Sequence, residues 1–409
     1  MLRWILFIFI YVLIGFYGFQ AVKTVTSKFW VHVFFAVIGL LVLGNFIFQF
    51  TVNSDGRNLS PIKAYAIGFL LSFLVFNLVI IPILLGEDIY RVILGIYDKF
   101  VKPNTVDGLT SRRKFISQIA LGVAAIPFLS LLYGMYKGRY NFKVLRYSLY
   151  FEDLPTAFDG YKITQISDIH SGSFDNKEKI EYAVQLVNEQ ESDLLLFTGD
   201  LINNKATEML PWIETFKKLK AKDGKFSILG NHDYGDYIDW PSKAAKEANL
   251  NQLKDIQEEL GFKLLLNEHT YIKKKEDKIA LIGVENWGKG GFKKAGDLKK
   301  AVALIKADDF KILMSHDPSH WEEQVIPDDY HYHLTLSGHT HGMQFGIEIP
   351  GWIKWSPAKW RYKYWAGIYQ EMNQYINVNR GFGYLAYPGR VGIWPEVTVI
   401  ELKKGTKPV

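Results

Sequence analysis

The chain has no cysteine. Disulfide scaffolds, zinc knuckles, iron–sulfur clusters and thiol nucleophiles are therefore excluded. It has no strong excess of either charge: 48 Lys and Arg stand against 42 Asp and Glu, a net +6 over 409 residues. So mild a balance argues against a nucleic-acid partner. It has no internal repeat and no low-complexity linker. With 22% charged and 15% aromatic residues, disorder is excluded as the main state. What is present is unevenly spread. The first third is almost free of charge in long runs, and the remainder reads as ordinary soluble sequence.

Four segments carry no charged residue over roughly the 20 residues needed to cross a bilayer: Trp4–Val22, Phe29–Ser54, Ala64–Gly86 and Phe115–Tyr136. One such run is commonly a buried core helix or a signal peptide. Four in one third of the chain predict a helical membrane region of about four spans over residues 1–140, ahead of a domain over 141–409. Trp4, Trp30, Tyr65 and Tyr133 lie near span ends, where amphipathic rings favour the interface. Asn45 and Asn77, inside spans two and three, are expected to hydrogen-bond between helices. No span holds an ionised side chain, so an ion path or a transporter is poorly supported. Between spans three and four, Ile89, Val92, Ile93 and Ile96 recur at helical spacing opposite Asp88, Arg91, Asp98 and Lys99. This predicts a helix lying along the membrane surface, followed by a turn at Pro103-Asn104.

Orientation rests on basic residues. Arg91, Lys99, Lys102, Arg112, Arg113 and Lys114 make the third loop the densest short basic loop of the chain. The positive-inside tendency puts that loop in the cytoplasm and the C-terminal domain of this multi-pass cell-membrane protein outside it. Ser111-Arg112-Arg113-Lys114-Phe115-Ile116 before an apolar stretch also resembles a twin-arginine export signal; two positive-inside arginines would read the same. Lys137, Arg139, Lys143 and Arg146 after span four pull the other way.

From about Asn141 short apolar strands alternate with helical or polar stretches, the pattern of an α/β domain. Lys162–Ser167, Asp193–Thr198, Phe226–Leu229, Lys278–Val284, Phe310–Met314 and His333–Leu336 read as buried strands. Lys177–Val187 and Ala244–Leu260 read as amphipathic helices. Five strand ends run into Asp, Asn or His: Asp168 and His170, Asp200, Asn231, His316, then His339 and His341. In α/β sheets, ligands bind outside the carboxyl ends of strands. Seven oxygen and imidazole donors are too many for one small ion. With one carboxylate shared, they suit two divalent cations about 3.5–4 Å apart. Asp168 and His170 are two residues apart, as are His339 and His341, which in an extended strand puts each pair on one face. Nitrogen and oxygen donors suit manganese first, and iron or zinc as well. His32, His269, His320, His331 and His333 have no such context and are assigned to surface or packing.

The ordered set DxH (Asp168, His170), GD (Gly199-Asp200), GNHD (Gly230 to Asp233), a single His316 and GHTHG (Gly338 to Gly342) resembles the calcineurin-like metallophosphoesterases, motif by motif over Tyr161–Gln344. The resemblance implies a four-layer α/β sandwich with two mixed sheets. It implies Asp168, His170, Asp200 and His341 on one ion, and Asp200, Asn231, His316 and His339 on the other, with Asp200 bridging. Gly342-Met343-Gln344, the run Asn379 to Gly383, and Gly389-Arg390 with Pro395-Glu396 are similar to a bacterial membrane-anchored branch. One activity known there is cleavage of the pyrophosphate in UDP-diacylglucosamine, a lipid A precursor. His232, beside the ligand Asn231, is the expected proton donor for the leaving group, with Asp233 orienting its ring. Arg380 and Arg390 are candidates for gripping phosphate through paired donors, against a reading as ordinary ion pairs.

Trp352, Trp355, Trp360, Tyr362, Tyr364 and Trp365 are interleaved with Lys354, Lys359, Arg361 and Lys363. That mixture suits a membrane interface with anionic headgroups, or a loop packed over a sheet edge. The expected function is a membrane-bound phosphoesterase in which paired cations activate a hydroxide against a phosphate ester or pyrophosphate, of a lipid or another phosphorylated small molecule. The alternative is a receptor or scaffold that uses the same fold to bind without cleaving. The intact ligand set and His232 favour the enzyme.

Overall fold

A computed structural model describes residues 2–51, 59–100, 109–349 and 351–407. They form two units, one ending at Tyr136 and one running from Lys137 onward.

The first unit is built of four long helices: α1 (Leu2–Val25), α2 (Phe29–Thr51), α3 (Pro61–Phe100) and α4 (Leu109–Tyr136). Each is long and apolar enough to cross a membrane. The expected surface helix after Gly86 is not a separate element. α3 runs on without a break to Phe100, and its stripe Ile89, Val92, Ile93 and Ile96 is exposed. No residue between Gly86 and Phe100 forces a break, so the backbone keeps its helical hydrogen bonds. Pro103-Asn104, Lys102 and the end of the second expected span at Ser54 lie outside the described residues.

Among the described residues neither asparagine bonds between helices as expected: Asn77 is buried, and Asn45 is exposed. Asn77 donates to Phe73 O one turn back in α3 (2.8 Å), and Asn45 accepts from Gln49 within α2. Asn77 instead fixes how closely α1 approaches. A Cβ on Gly18 would lie 2.0 Å from Asn77 Oδ1, so only glycine fits there. The polar ties are elsewhere. Tyr17 of α1 donates to Asp88 of α3 (2.7 Å), and Asp88 also pairs with Arg113 of α4. Arg112 pairs with buried Glu87 at 3.1 Å. Gly18→Leu should overpack this junction and cost about 1–3 kcal/mol. A lowered melting temperature of the detergent-solubilised membrane region would show it.

In the second unit the strands are, in chain order, β1 (Lys143–Phe151), β2 (Lys162–Ile166), β3 (Leu194–Phe197), β4 (Lys225–Ser227), β5 (Lys263–Leu264), β6 (Glu268–Lys274) and β7 (Asp277–Gly283). They continue as β8 (Lys311–Met314), β9 (Leu334–Ser337), β10 (Ile347–Ile349), β11 (Ile353–Trp355), β12 (Gly367–Glu371), β13 (Gln374–Val378) and β14 (Glu396–Lys404). One six-stranded sheet runs β1-β14-β2-β3-β4-β5, the other β12-β13-β9-β8-β7-β6, and β10 and β11 form a separate hairpin. Both large sheets are mixed: β14 is parallel to β1 and antiparallel to β2, and β6 is antiparallel to β7.

Strand alternation sorts the side chains into layers. Leu194 and Leu196 of β3 meet Leu281, Ile312 and Leu336 of the facing sheet in a core between the two sheets. Leu195 and Phe197 point the other way, under α5 (Lys177–Asn188). Ile180, Ala183, Val184 and Val187 of α5 fall on that side at helical spacing. Beyond α6 (Ile213–Phe216), α7 (Lys243–Glu259) adds Leu253 and Ile256 to the same layer. Ala280, Ile282 and Leu313 pack outward against α8 (Leu298–Ala301) and Trp321. The fold is the expected four-layer α/β sandwich with two mixed sheets.

Candidate metal centre

Strands β2, β3 and β4 of one sheet and β8 and β9 of the other end at a common point, and the seven expected ligands sit there. The two pairs two residues apart do not converge by strand alternation as expected. Asp168 and His170 follow the end of β2, and His339 and His341 follow β9, all four with left-handed backbone (φ 51°, 48°, 69° and 49°). Asp200 is left-handed as well (φ 61°). Such a conformation costs a non-glycine residue about 1–2 kcal/mol, so five of them in one place mark a site held by its surroundings. The loops brace one another: Asp168 N–H donates to Gly199 O (2.9 Å), His170 N–H to Asp200 O (3.1 Å) and Gly338 N–H to His316 O (2.9 Å). A Cβ on Gly338 would lie 2.2 Å from Asp168 Oδ2, so this crossing of loops needs glycine.

Two groups of donors lie within 4.8 Å of one another: Asp168, His170 and His341; and Asp168, Asp200 and His316. Asp168 is the residue common to both. Asp200 Oδ2 also faces both, 3.6 Å from His170 Nε2 and 3.2 Å from His316 Nε2. Asn231 and His339 complete the second side, with Asn231 Oδ1 2.7 Å from His339 Nδ1 and 3.2 Å from His316 Nε2.

The hydrogen bonds fix which ring atoms face inward. His316 Nδ1–H donates to Thr198 O (2.7 Å), which leaves Nε2 aimed at two oxygen acceptors, on Asp200 and Asn231. Only a proton or a cation satisfies that arrangement, and the donor set therefore fits divalent metal. The electrostatics agree. Burial alone would pull the His316 imidazole down, but Asp200 and then Asp168 outweigh it and hold it at about 10. Burial would likewise raise Asp200, yet His316 and His232 keep its carboxyl well below the ordinary range. His170 and His339 are pushed down, chiefly by burial, which favours their neutral rings.

His232 lies at the edge of this cluster. Its Nδ1 bonds to Asn203 O (2.8 Å), its backbone N–H donates to Asp200 Oδ1 (2.8 Å), and its ring lies 4.9 Å from that of His170. Asp233 does not orient it, contrary to expectation. The buried Asp233 carboxylate instead accepts from the backbone N–H groups of Asp200 (2.8 Å), Leu201 (2.8 Å), Ile202 (3.4 Å) and Gly230 (2.9 Å). Burial, then Asp200, raises its pKa to about 7.

The two arginines are buried rather than set out for a phosphate. Arg380 is paired with Glu348 (2.6 Å) and Glu396 (2.5 Å). Arg390 donates to the carbonyls of Gly383 and Arg380, with Nη2 3.1 Å from His341 Nδ1. His32 bonds to Thr26 O within the first unit, and His269, His320 and His333 bond to Ala301 O, Ser315 and Asp153 rather than to the expected ligands. Sequence reading missed Asp317 and Tyr362, which both reach His339 Nε2 (3.3 and 2.8 Å), and Tyr237, which accepts from Asn231 Nδ2 (2.8 Å). Asp317 adjoins His316 and could have been suspected; Tyr362 arrives from 23 residues downstream of His339 with no local signal.

Residues 161–343 match the family described as calcineurin-like phosphoesterase, and residues 2–139 match the transmembrane domain of four-span calcineurin-like phosphoesterases. The uncharacterized metallophosphoesterase YkuE of Bacillus subtilis is 32% identical over 253 residues, 61% of this chain and 82% of YkuE. The phosphodiesterase YaeI of Escherichia coli is 27% identical over 72% of this chain and all of its own length. A transmembrane protein with a metallophosphoesterase domain from Danio rerio is 26% identical over 67% of this chain, and the chain spans 60% of that protein. The chain thus belongs to the calcineurin-like phosphoesterases, enzymes that use divalent metal. It is a multi-pass membrane metallophosphoesterase.

Asp233→Ala would strand four backbone donors beneath the metal centre. At about 1–3 kcal/mol for each unsatisfied buried group, the loss should exceed about 3 kcal/mol. Thermal unfolding of the variant should show a melting point far below that of the unaltered protein.

Proposed function

We propose that the chain hydrolyses a phosphate ester or pyrophosphate, of a lipid, a lipid precursor or another phosphorylated small molecule. In this reading Asp168, His170, Asp200, Asn231, His316, His339 and His341 hold two divalent cations, of which manganese, iron and zinc suit the donors. The observation that supports it is the convergence of buried carboxylate, amide and imidazole donors, with Asp168, His170 and His341 in one group and Asp168, Asp200 and His316 in another, and Asn231 beside His316 and His339. Cations bound there would neutralise phosphate oxygens and make a water acidic enough to attack phosphorus.

The chain's own groups do the rest. Asn203 O fixes the His232 ring through Nδ1, which turns Nε2 into the atom that passes a proton to the leaving oxygen. Tyr237 covers the ring, 4.4 Å away between centroids. Asp317 and Tyr362 hold His339 from behind, and Arg390 acts as a positioning residue behind His341 rather than on substrate.

We place the domain outside the cytoplasm. Supporting this, three of the basic residues after span four belong to the folded domain: Arg139 is buried against Asp175 (3.0 Å), and Lys143 and Arg146 lie in β1. A folded domain weighs little in orientation, whereas the basic loop before span four weighs heavily.

Metal analysis should find two divalent ions per chain, with hydrolysis lost in Asp200→Ala. His232→Ala should keep both metals but lose roughly 100- to 10,000-fold in turnover, and less on an ester with a very acidic leaving group. A single tight metal site under metal-replete conditions, or equal losses on good and poor leaving groups, would count against these roles.

Orientation can be read by labelling intact cells with a membrane-impermeant thiol reagent. In this cysteine-free chain, Lys222→Cys should react and Lys102→Cys should not. The reverse pattern would put the domain in the cytoplasm.

A further inference from the structure

The hairpin of β10 and β11 is built inside out. Its register pairs Ile347 with Trp355, Glu348 with Lys354 and Ile349 with Ile353. Directly paired residues share a face of the ribbon and neighbours alternate, so the four apolar residues are on one face and the two charged ones on the other. The charged face is the one turned to the domain: Glu348 receives the buried Arg380, and Lys354 Nζ donates to Ala366 O. On the other face Ile347 and Ile349 are exposed, and Ile353 and Trp355 beside them are half-buried. Trp352 in the connecting turn is 77% exposed. Trp360, packed edge-on against Trp355, is 74% exposed and extends the same surface. Apolar side chains displayed in this way on a soluble domain mark a surface that meets something else.

The flanking charge says what. Lys359 and Arg361 flank Trp360 in the chain; among the described residues neither forms an ion pair with a carboxylate, and the Arg361 guanidinium lies over the Phe292 and Tyr362 rings (4.9 and 5.5 Å). Exposed tryptophans with unpaired cations beside them match the headgroup layer of an anionic leaflet. The chain supplies that layer itself, because only residues 137–142 separate the last span from β1.

We infer that the segment Ile347–Arg361 docks into the headgroup region of a bilayer containing anionic phospholipid. It is also tied to the metal centre. Ser356 Oγ donates to Gly342 O (2.6 Å) in the loop after His341, and Tyr362 meets His339 (2.8 Å). A segment seated in headgroups therefore holds the metal centre against phosphoesters displayed at a lipid surface. That consequence for substrate, unlike the docking, rests on the phosphoesterase reading above.

The test uses the full chain with one spin-labelled cysteine in vesicles of phosphatidylcholine with phosphatidylglycerol. At Ile349→Cys the label should be accessible to oxygen and shielded from a water-soluble nickel chelate, with the order reversed at Lys222→Cys. Shielding should weaken in vesicles of phosphatidylcholine alone, and in the anionic vesicles when Lys359→Glu and Arg361→Glu are combined. Equal nickel access at both positions would overturn the docking, and spin–spin broadening at 349 would assign the face to a second copy instead. Hydrolysis is read in the same vesicles, phosphatidylglycerol against its water-soluble headgroup diester, with at least roughly tenfold preference expected for the lipid. An inserted label without any hydrolysis removes the lipid phosphoester as substrate and keeps the docking. Hydrolysis with a water-exposed label does the opposite.

Discussion

A single carboxylate underlies the catalytic half of this molecule. Asp233 accepts hydrogen bonds from backbone groups of two loops, at the ends of β3 and β4, which His232 N–H also joins by donating to Asp200 Oδ1. The loops carry Asp200, Asn231 and His232, three of the residues to which we assign the proposed chemistry. Their backbone cannot relax into ordinary conformations without leaving those acceptor bonds. Asp200 is left-handed, and a Cβ on Gly230 would lie 2.2 Å from Asp200 Oδ1. Burying a carboxylate is unfavourable unless it is well bonded, and here four peptide groups do the bonding. Burial, and then the Asp200 charge beside it, push the Asp233 carboxyl above its ordinary range.

Much of this cluster could be read along the chain because each expected ligand follows a short apolar strand and so announces its own position. His316 and Asp200 were legible for that reason. The means by which paired ligands converge was not. Asp168 and His170 looked like neighbours on one face of a strand, but the strand has ended by Ile166 and left-handed turns do the aiming. Residues that support a ligand from another part of the chain, such as Tyr362 and Asn203, leave no local signal, because their role exists only after folding. Arg380 shows the opposite error. A conspicuous arginine near a motif suggested phosphate, whereas two glutamates, one of them on the hairpin, already occupy it.

The membrane region was legible as four apolar runs because length and absence of charge suffice to define a span. Its internal contacts were not. Asn77 was expected to bond across helices and bonds within its own, since a helix carbonyl one turn away is always in reach. Among the described residues, polar ties between helices include Tyr11 donating to Gly39 O inside the spans, and the charged ones, through Asp88 and Arg113, lie at the ends of the apolar runs.

The pairing of β1 with β14 bears on how the protein is made. β14 lies between β1 and β2, so strands that begin at Lys143 and Lys162 are joined through one that ends at Lys404. During synthesis β1 and β2 emerge early and have no partner for each other. The first sheet stays open at that gap until some 240 further residues have been translated. Until then its exposed strand edges must be kept from other chains. Biogenesis of this protein therefore includes a long interval as an incomplete sheet beside a membrane already entered, and a ribosome that stalls before residue 396 leaves an anchored chain that cannot close.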